Sequence, residues 1–269
     1  MKKISIILVS LLLLSIGFYL CACVANADNA NRQINSINHR GYRDAPENTL
    51  AAFRLSKEKG FDMVECDVRF TKDNQAVLLH DSSVNRTSDG KGKIANLTLD
   101  EVKALDFGSW KNKSYAGEHI ATFEEFVALC VELNLHPYVE VKSGATRVQV
   151  QILVDVVNQA KLSVTWISFD MNVLNYLVEL HTDGRLGLLT HSISDSDVKF
   201  VVNLSKNTDA FIDANYIFLT PQDIKQCKKK GVPLEVWTIN NQNVIANLDK
   251  YITGVTSDYL NAQSIFDNM

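Results

Sequence analysis

Short strand-like runs and longer helix-like runs alternate along most of this 269-residue sequence. From residue 122 onward, each β-branched run is followed by an amphipathic one, and polar cap residues such as Thr122 and Thr220 begin the helices. Strict alternation favours a parallel sheet, and eight repeats favour an α/β fold closed into a (β/α)8 TIM-type barrel. The eight predicted strands have marker residues His39, Glu65, Glu140, Ser168, Leu188, Ile212, Trp237 and Thr256.

Length and charge agree with one barrel domain over residues 36–269. Such barrels need about 250 residues, and 46% of this chain is hydrophobic. The formal net charge is −4, whereas nucleic-acid binding needs a basic face, so we predict no nucleic-acid partner. Residues 82–120 show no long helical or strand period in their hydrophobic residues. Long irregular segments of this kind in a compact domain are usually functional.

The N-terminus is typical of an export signal. Lys2 and Lys3 precede an apolar run over residues 4–20, which is followed by Leu20-Cys21-Ala22-Cys23. Residues 1–27 are therefore interpreted as a signal peptide or a lipoprotein signal, and 28–35 as a polar tether. The four-residue motif resembles a bacterial lipobox and makes Cys23 the candidate for lipidation.

Three fates of this segment remain open. Lipidation of Cys23 would give a cell-membrane lipoprotein anchored by its lipid, cleavage after Ala27 would give a secreted or periplasmic protein, and an uncleaved segment would span the membrane. Both cleaved forms, the lipoprotein and the secreted protein, place the barrel outside the cytoplasm.

Glu65 and Asp67 form an acidic pair on a predicted strand. Residues two apart on a strand face the same side, so both carboxylates point one way. Such a pair is stable only with a cation or a shared proton between the two groups. Oxygen ligands suit a hard cation, so the pattern favours one divalent Mg²⁺ or Ca²⁺.

His39, Arg40 and His80 add further chemistry close to the acidic pair. Each histidine ends a predicted strand beside a charged partner, and two imidazoles can take and give a proton in one reaction. The Arg40 guanidinium can bind a phosphate through two hydrogen bonds. A cation, an acid/base pair and an anion-binding group together favour hydrolysis of a phosphate ester.

Four motifs in one order resemble the signature of the glycerophosphodiester phosphodiesterase family. They are His39-Arg40-Gly41, Pro46-Glu47-Asn48-Thr49, Glu65-x-Asp67 and His80-Asp81. The resemblance implies metal-dependent hydrolysis of small-molecule glycerophosphodiesters to glycerol 3-phosphate and an alcohol, with His39 and His80 as the acid/base pair. It also makes Glu140 the third metal ligand, and it implies a small insertion after the second strand, at about 82–120.

Three other residues are candidate substrate contacts, of which Phe169 and Trp237 lie in stretches that resemble family motifs. Lys142 is predicted to neutralise a phosphate oxygen, although a structural salt bridge with Glu140 is the alternative. Phe169 is expected to shape the pocket wall, and Trp237 to pack against the substrate or within the core. In the family, proline often follows the aspartate of the last strand. Here Tyr259 follows Asp258, which leaves the role of Asp258 open.

Two other functions are carried forward. One is a lysophospholipase D-like barrel enzyme, which would need an apolar rim facing a membrane. The other is a surface lipoprotein that binds glycerophosphodiesters without cleaving them. The residues do not reveal which histidine is the acid, or whether water or the glycerol hydroxyl attacks. His119, His136, His181 and His191 are interpreted as structural.

Overall fold

Eight parallel strands close into a barrel in the computed structural model, which describes residues 32–269. The first strand pairs with both the second and the last, so the predicted closed sheet is confirmed. One extra strand, β3, pairs antiparallel with β2 after a turn centred on Lys72-Asp73, in which the Asn74 N–H donates to the Thr71 carbonyl. The strands are β1 (Asn35–Asn38), β2 (Met63–Phe70), β3 (Ala76–Leu78), β4 (His136–Val141), β5 (Thr165–Ser168), β6 (Arg185–Thr190), β7 (Ala210–Asn215), β8 (Leu234–Trp237) and β9 (Ile252–Ser257).

Helices connect the strands on the outside of the barrel. Most begin at a Thr, Ser, Asp or Asn cap, and five have a reciprocal capping box. The helices of the described residues are α1 (Leu50–Glu58), α2 (Leu99–Lys103), α3 (Phe123–Leu133), α4 (Arg147–Ala160), α5 (Met171–Glu179), α6 (Asp195–Leu204), α7 (Pro221–Lys230), α8 (Gln242–Ala246) and α9 (Ala262–Asp267).

The pleat of β2 separates the core from the barrel interior. Val64, Cys66 and Val68 belong to the large hydrophobic cluster formed with the surrounding helices. Glu65 and Asp67 alternate with them, so both carboxylates point inward, as the sequence predicted. A smaller cluster inside the barrel is made by Ile37, Tyr138, Ile167, Leu189 and Phe211.

The insertion after the β2–β3 hairpin has a hydrophobic cluster of its own. Val84, Ile94, Val102 and Phe107 are buried there against Val77 of β3. The segment therefore packs as an ordered element despite its lack of a long sequence period.

Three cysteines of the described residues, Cys66, Cys130 and Cys227, are buried and free. No helix within residues 32–269 is both long enough and apolar enough to cross a membrane. The predicted export segment, the candidate Cys23 and the first half of the tether lie outside the described residues.

Candidate active site

A cavity of about 290 Å³ opens at the carboxyl ends of the barrel strands, where barrel enzymes carry their active sites. Most of the predicted site residues lie around it. Its lining consists of His39, Arg40, Glu65, His80, Glu140, Ile167, Phe169, Leu189, His191, Asp213, Trp237 and Thr256.

Glu65, Asp67 and Glu140 form a buried carboxylate cluster. Asp67 and Glu140 are register neighbours on β2 and β4, and ligand atoms of all three groups lie within 4.8 Å of one another. Two basic residues approach the cluster. The Lys142 ammonium lies 2.5 Å from Asp67 Oδ1 and 2.6 Å from Glu140 Oε1, so the alternative salt bridge is present and also includes Asp67. Arg40 Nε lies 3.2 Å from Asp67 Oδ2.

Electrostatics within this cluster favour an added positive charge. Burial, followed by repulsion from Asp67 and Glu140, raises the pKa of Glu65 well above its usual range. Burial and Asp67 raise the pKa of Glu140 to about 7. Burial also opposes ionisation of Asp67, but Lys142 and Arg40 outweigh it and lower the pKa of that carboxyl. Three oxygen donors around this much negative charge fit a hard divalent cation.

The Arg40 backbone and the Asn48 side chain fix the cluster from the β1–α1 loop. Arg40 has a left-handed φ of 55° and donates its backbone N–H to Glu65 Oε2 at 2.9 Å. Asn48 donates from Nδ2 to Asp67 Oδ2 at 2.7 Å and accepts the Asp67 backbone N–H at 3.1 Å. Asn48 is also a residue type that favours a helix N-cap, but Thr49 caps α1 and the Asn48 amide contacts Asp67 instead.

The two predicted histidines have matching environments. His39 Nδ1 lies 2.7 Å from Asp258 Oδ1, and His80 Nδ1 lies 2.8 Å from Asp81 Oδ1. A carboxylate at Nδ1 fixes the ring orientation and leaves Nε2 for exchanging a proton. Burial lowers the pKa of His80, which favours its neutral form. The structure thus gives Asp258 a contact that the sequence left undecided.

Arg86 of the insertion joins the two halves of the site. Its guanidinium lies 2.7 Å from Asp81 Oδ2 and 2.7 Å from Glu47 Oε2, and Glu47 in turn contacts Arg40 at 3.2 Å. The loops that carry His80 and Arg40 are therefore held together by charge-assisted hydrogen bonds.

Three aromatic side chains form one wall of the cavity. Phe169 stacks on His191 with ring centroids 5.2 Å apart, and Trp237 meets both rings edge-on at 5.8 and 5.4 Å. Phe169 and Trp237 were predicted here. His191 and Asp213 were not, because nothing in their local sequence marks them as cavity residues.

The fold and this geometry define a barrel enzyme whose carboxylate cluster and paired imidazoles meet in one cavity. The glycerophosphoryl diester phosphodiesterase family model matches residues 39–262. The chain belongs to this family and is a phosphoric diester hydrolase.

Relatives of similar length support this assignment. A glycerophosphodiester phosphodiesterase from Caldanaerobacter subterraneus is 29% identical over 82% of this chain and 93% of its own length. Glycerophosphodiester phosphodiesterase 1 of Bos taurus is 30% identical over 77% of this chain and 72% of its own. Among solved structures, an Oleispira antarctica phosphodiesterase in complex with the product sn-glycerol-3-phosphate matches with a TM-score of 0.79 and 29% identity, covering 86% of this chain and 94% of that one.

Proposed function

We propose that the protein hydrolyses glycerophosphodiesters to glycerol 3-phosphate and a free alcohol, with one divalent cation, Ca²⁺ or Mg²⁺, as cofactor. The observation that carries the proposal is the convergence of two carboxylate-bound imidazoles and a three-carboxylate cluster on one small cavity. The product-bound relative supports glycerol 3-phosphate as the product.

Glu65, Asp67 and Glu140 would hold the cation, which when bound would supply neutralisation of phosphoryl charge and Lewis-acid polarisation. Arg40 is placed to bind a phosphate oxygen through its guanidinium, and Lys142 to add positive charge beside it. One histidine of the His39/His80 pair removes a proton from the attacking hydroxyl. The other delivers a proton from Nε2 to the alkoxide that leaves phosphorus.

The aromatic wall suits the carbon skeleton of the substrate. Phe169 and Trp237 present apolar ring surface to the cavity opposite the charged cluster. Substrate would lie between this wall and the cluster, with its phosphate toward Arg40.

Hydrolysis of lysophospholipids is a second candidate, and one observation favours it. Ile217 and Phe218 follow the carboxyl end of β7 directly and are 76% and 55% exposed. An exposed apolar pair at the rim that carries the site can contact a lipid chain or a membrane surface.

The test is incubation of the purified protein with glycerophosphocholine and, separately, with lysophosphatidylcholine, each with and without a chelator. Release of choline and glycerol 3-phosphate from the first substrate, abolished by the chelator, is the expected result. Preference for lysophosphatidylcholine would favour the second candidate. Binding of glycerophosphocholine without turnover would indicate the non-catalytic lipoprotein.

We also propose that the enzyme is exported and held at the cell membrane by lipid on Cys23. The basic start, apolar run and Leu20-Cys21-Ala22-Cys23 motif support this location. A simply secreted or periplasmic form, cut after Ala27, is the alternative outcome.

A further inference from the structure

Asp213 is a buried carboxyl group that the proposed chemistry does not use. It lies on β7, is 2% exposed and lines the same cavity as His39, Arg40 and Trp237. Its Oδ1 atom is buried without a hydrogen-bond partner among the described residues. Buried polar groups are nearly always paired, so an unpaired one facing a cavity indicates that a ligand supplies its partner.

The neighbouring carboxyl on β8, Glu235, does not line the cavity; its Oε1 atom has partners, whereas its Oε2 is buried without one among the described residues. Glu235 is the register neighbour of Asp213, and Arg185 Nη1 donates to Glu235 Oε1 at 2.8 Å. Asn35 Nδ2 donates to the same atom at 3.0 Å. The Arg185 guanidinium and the Asn35 amide therefore donate to Glu235.

The surroundings of Asp213 favour a neutral ligand group. Burial, followed by Glu235 and Glu140, raises the pKa of Asp213 well above its usual range. A protonated carboxyl both donates and accepts a hydrogen bond, which matches an alcohol hydroxyl. Ile167 and Leu189 also line this part of the cavity and present only apolar surface.

We infer that Asp213 binds a free hydroxyl of the glycerol portion of the substrate and so selects glycerol esters over simple alkyl esters. This inference rests on the proposed function, because it assigns one more contact to the same substrate. The glycerol portion is common to all glycerophosphodiesters, whereas the alcohol portion varies, so a fixed contact from the barrel wall belongs with glycerol.

The test compares substrates that differ by one hydroxyl. Wild-type enzyme, Asp213→Asn and Asp213→Leu are assayed with glycerophosphocholine, with 2-hydroxypropyl phosphocholine, which lacks the terminal hydroxyl, and with 3-hydroxypropyl phosphocholine, which lacks the secondary one. For the hydroxyl that Asp213 binds, wild-type kcat/KM should fall about 10- to 100-fold when that hydroxyl is absent. In Asp213→Leu, kcat/KM on glycerophosphocholine should fall by a similar factor, and it should fall little further on the analogue that lacks this hydroxyl. In Asp213→Asn, the loss of kcat/KM should be smaller than in Asp213→Leu.

Stability separates a binding role from a structural one. Leu has nearly the same shape as Asp and needs no hydrogen bond, so Asp213→Leu should keep or raise the melting temperature while it lowers kcat/KM. Equal losses on all three substrates, or unchanged kinetics on glycerophosphocholine, would overturn the inference. A further result would overturn it: a loss of kcat/KM in Asp213→Leu that occurs with glycerophosphocholine but not with glycerophosphoglycerol. The contact would then be with the choline cation. Absence of wild-type turnover on glycerophosphocholine would instead contradict the proposed function itself.

Discussion

The aspartates that contact His39 and His80 determine what these two side chains can do. The Asp258 and Asp81 carboxylates contact Nδ1 of His39 and His80. Nε2 of each ring is therefore available, and each ring has a negative charge next to its Nδ1. A carboxylate in this position fixes the tautomer and stabilises the protonated ring that proton transfer creates. The two histidines are therefore equivalent in geometry, which explains why the sequence alone did not separate the acid from the base.

Replacement of either histidine should remove most of the activity. His39→Ala and His80→Ala are each expected to lower kcat by about 100-fold or more, and the double variant should lose far less than the product of the two effects. Steady-state kinetics on glycerophosphocholine measure this. His119→Ala is the matched control, because His119 is exposed and lies outside the cavity. Near-normal kcat in either single variant would contradict the assigned roles.

Much of the site could be predicted from local patterns, and the rest depends on contacts between distant parts of the chain. The two-residue spacing of Glu65 and Asp67 is enough to predict that both side chains share one face of a strand. The contact between His39 and Asp258 joins residues 219 positions apart and exists only because β1 pairs with β9. His191 and Asp213 likewise reach the cavity through barrel closure, which has no local signature.

At the scale of elements, the β1–α1 loop depends on a glycine at a close backbone approach. Gly41 has φ +81°, and a Cβ built there would lie 2.5 Å from the Ala52 Cβ and 2.8 Å from the Ala52 carbonyl carbon. Glycine at this position lets the loop pass close to α1, which holds Arg40 against the carboxylate cluster.

Gly41→Ala should therefore cost both stability and activity. The left-handed backbone alone costs an alanine about 1–2 kcal/mol, and overpacking against α1 adds about 1–3 kcal/mol more. Gly60→Ala is the matched control, since Gly60 has φ +82° and no atom within 4 Å of the added Cβ. Chemical denaturation should rank the variants, with Gly41→Ala the less stable and the only one with reduced kcat/KM. Equal stability of the two would argue against a close contact between this loop and α1.

Element boundaries were predictable where a cap or a strict period was present. The β-branched run around the acidic pair predicts a strand over residues 63–70, and β2 spans Met63–Phe70; α3 begins after the predicted Thr122 cap. The sequence predicts that the next strand begins at Tyr138, but β4 begins two residues earlier, at His136, because pairing with β2 extends it through Pro137. Helix α9 was not predicted, since it has only two fully buried residues, Ala262 and Phe266, to mark its inner face.

At the scale of the whole molecule, the carboxylate cluster should link cation binding to folding. Glu65, Asp67 and Glu140 come together only when β2 and β4 pair, so the cation should bind the folded state alone. Mg²⁺ or Ca²⁺ at a hundred times its Kd should then raise the free energy of unfolding by about 2.7 kcal/mol. Denaturation with and without cation, alongside activity with and without chelator, measures both effects.

Two variants distinguish this site from general salt effects. Glu65→Gln should abolish the cation-dependent stabilisation. It should also lower kcat/KM by a factor that corresponds to several kcal/mol of lost transition-state stabilisation. Glu124→Gln, which removes an exposed surface carboxylate, should leave both unchanged. Full activity after exhaustive chelation of a variant with all three carboxylates replaced by amides would refute the metal site.

The proposed attachment of the protein to the membrane is tested at the N-terminus. Cys23→Ser should prevent lipid attachment and leave either precursor or protein cut after Ala27, while Cys21→Ser should have little effect. Acyl chains contribute about 0.8 kcal/mol per buried methylene, so a multiply acylated protein should stay with the membrane fraction. The mass of the mature N-terminus decides the matter, because an unmodified chain that begins at Asp28 would exclude the lipoprotein.

The buried free cysteines bear on where this barrel can be assembled. Burial raises the pKa of the Cys66 thiol well above its usual range and that of Cys227 to about 11, so little reactive thiolate exists at neutral pH. No disulfide joins the described residues. The domain therefore needs neither an oxidant nor a disulfide isomerase to fold, and its thiols resist oxidation once buried. Recombinant protein made in the reducing cytoplasm should thus reach the same structure as protein that folds after export.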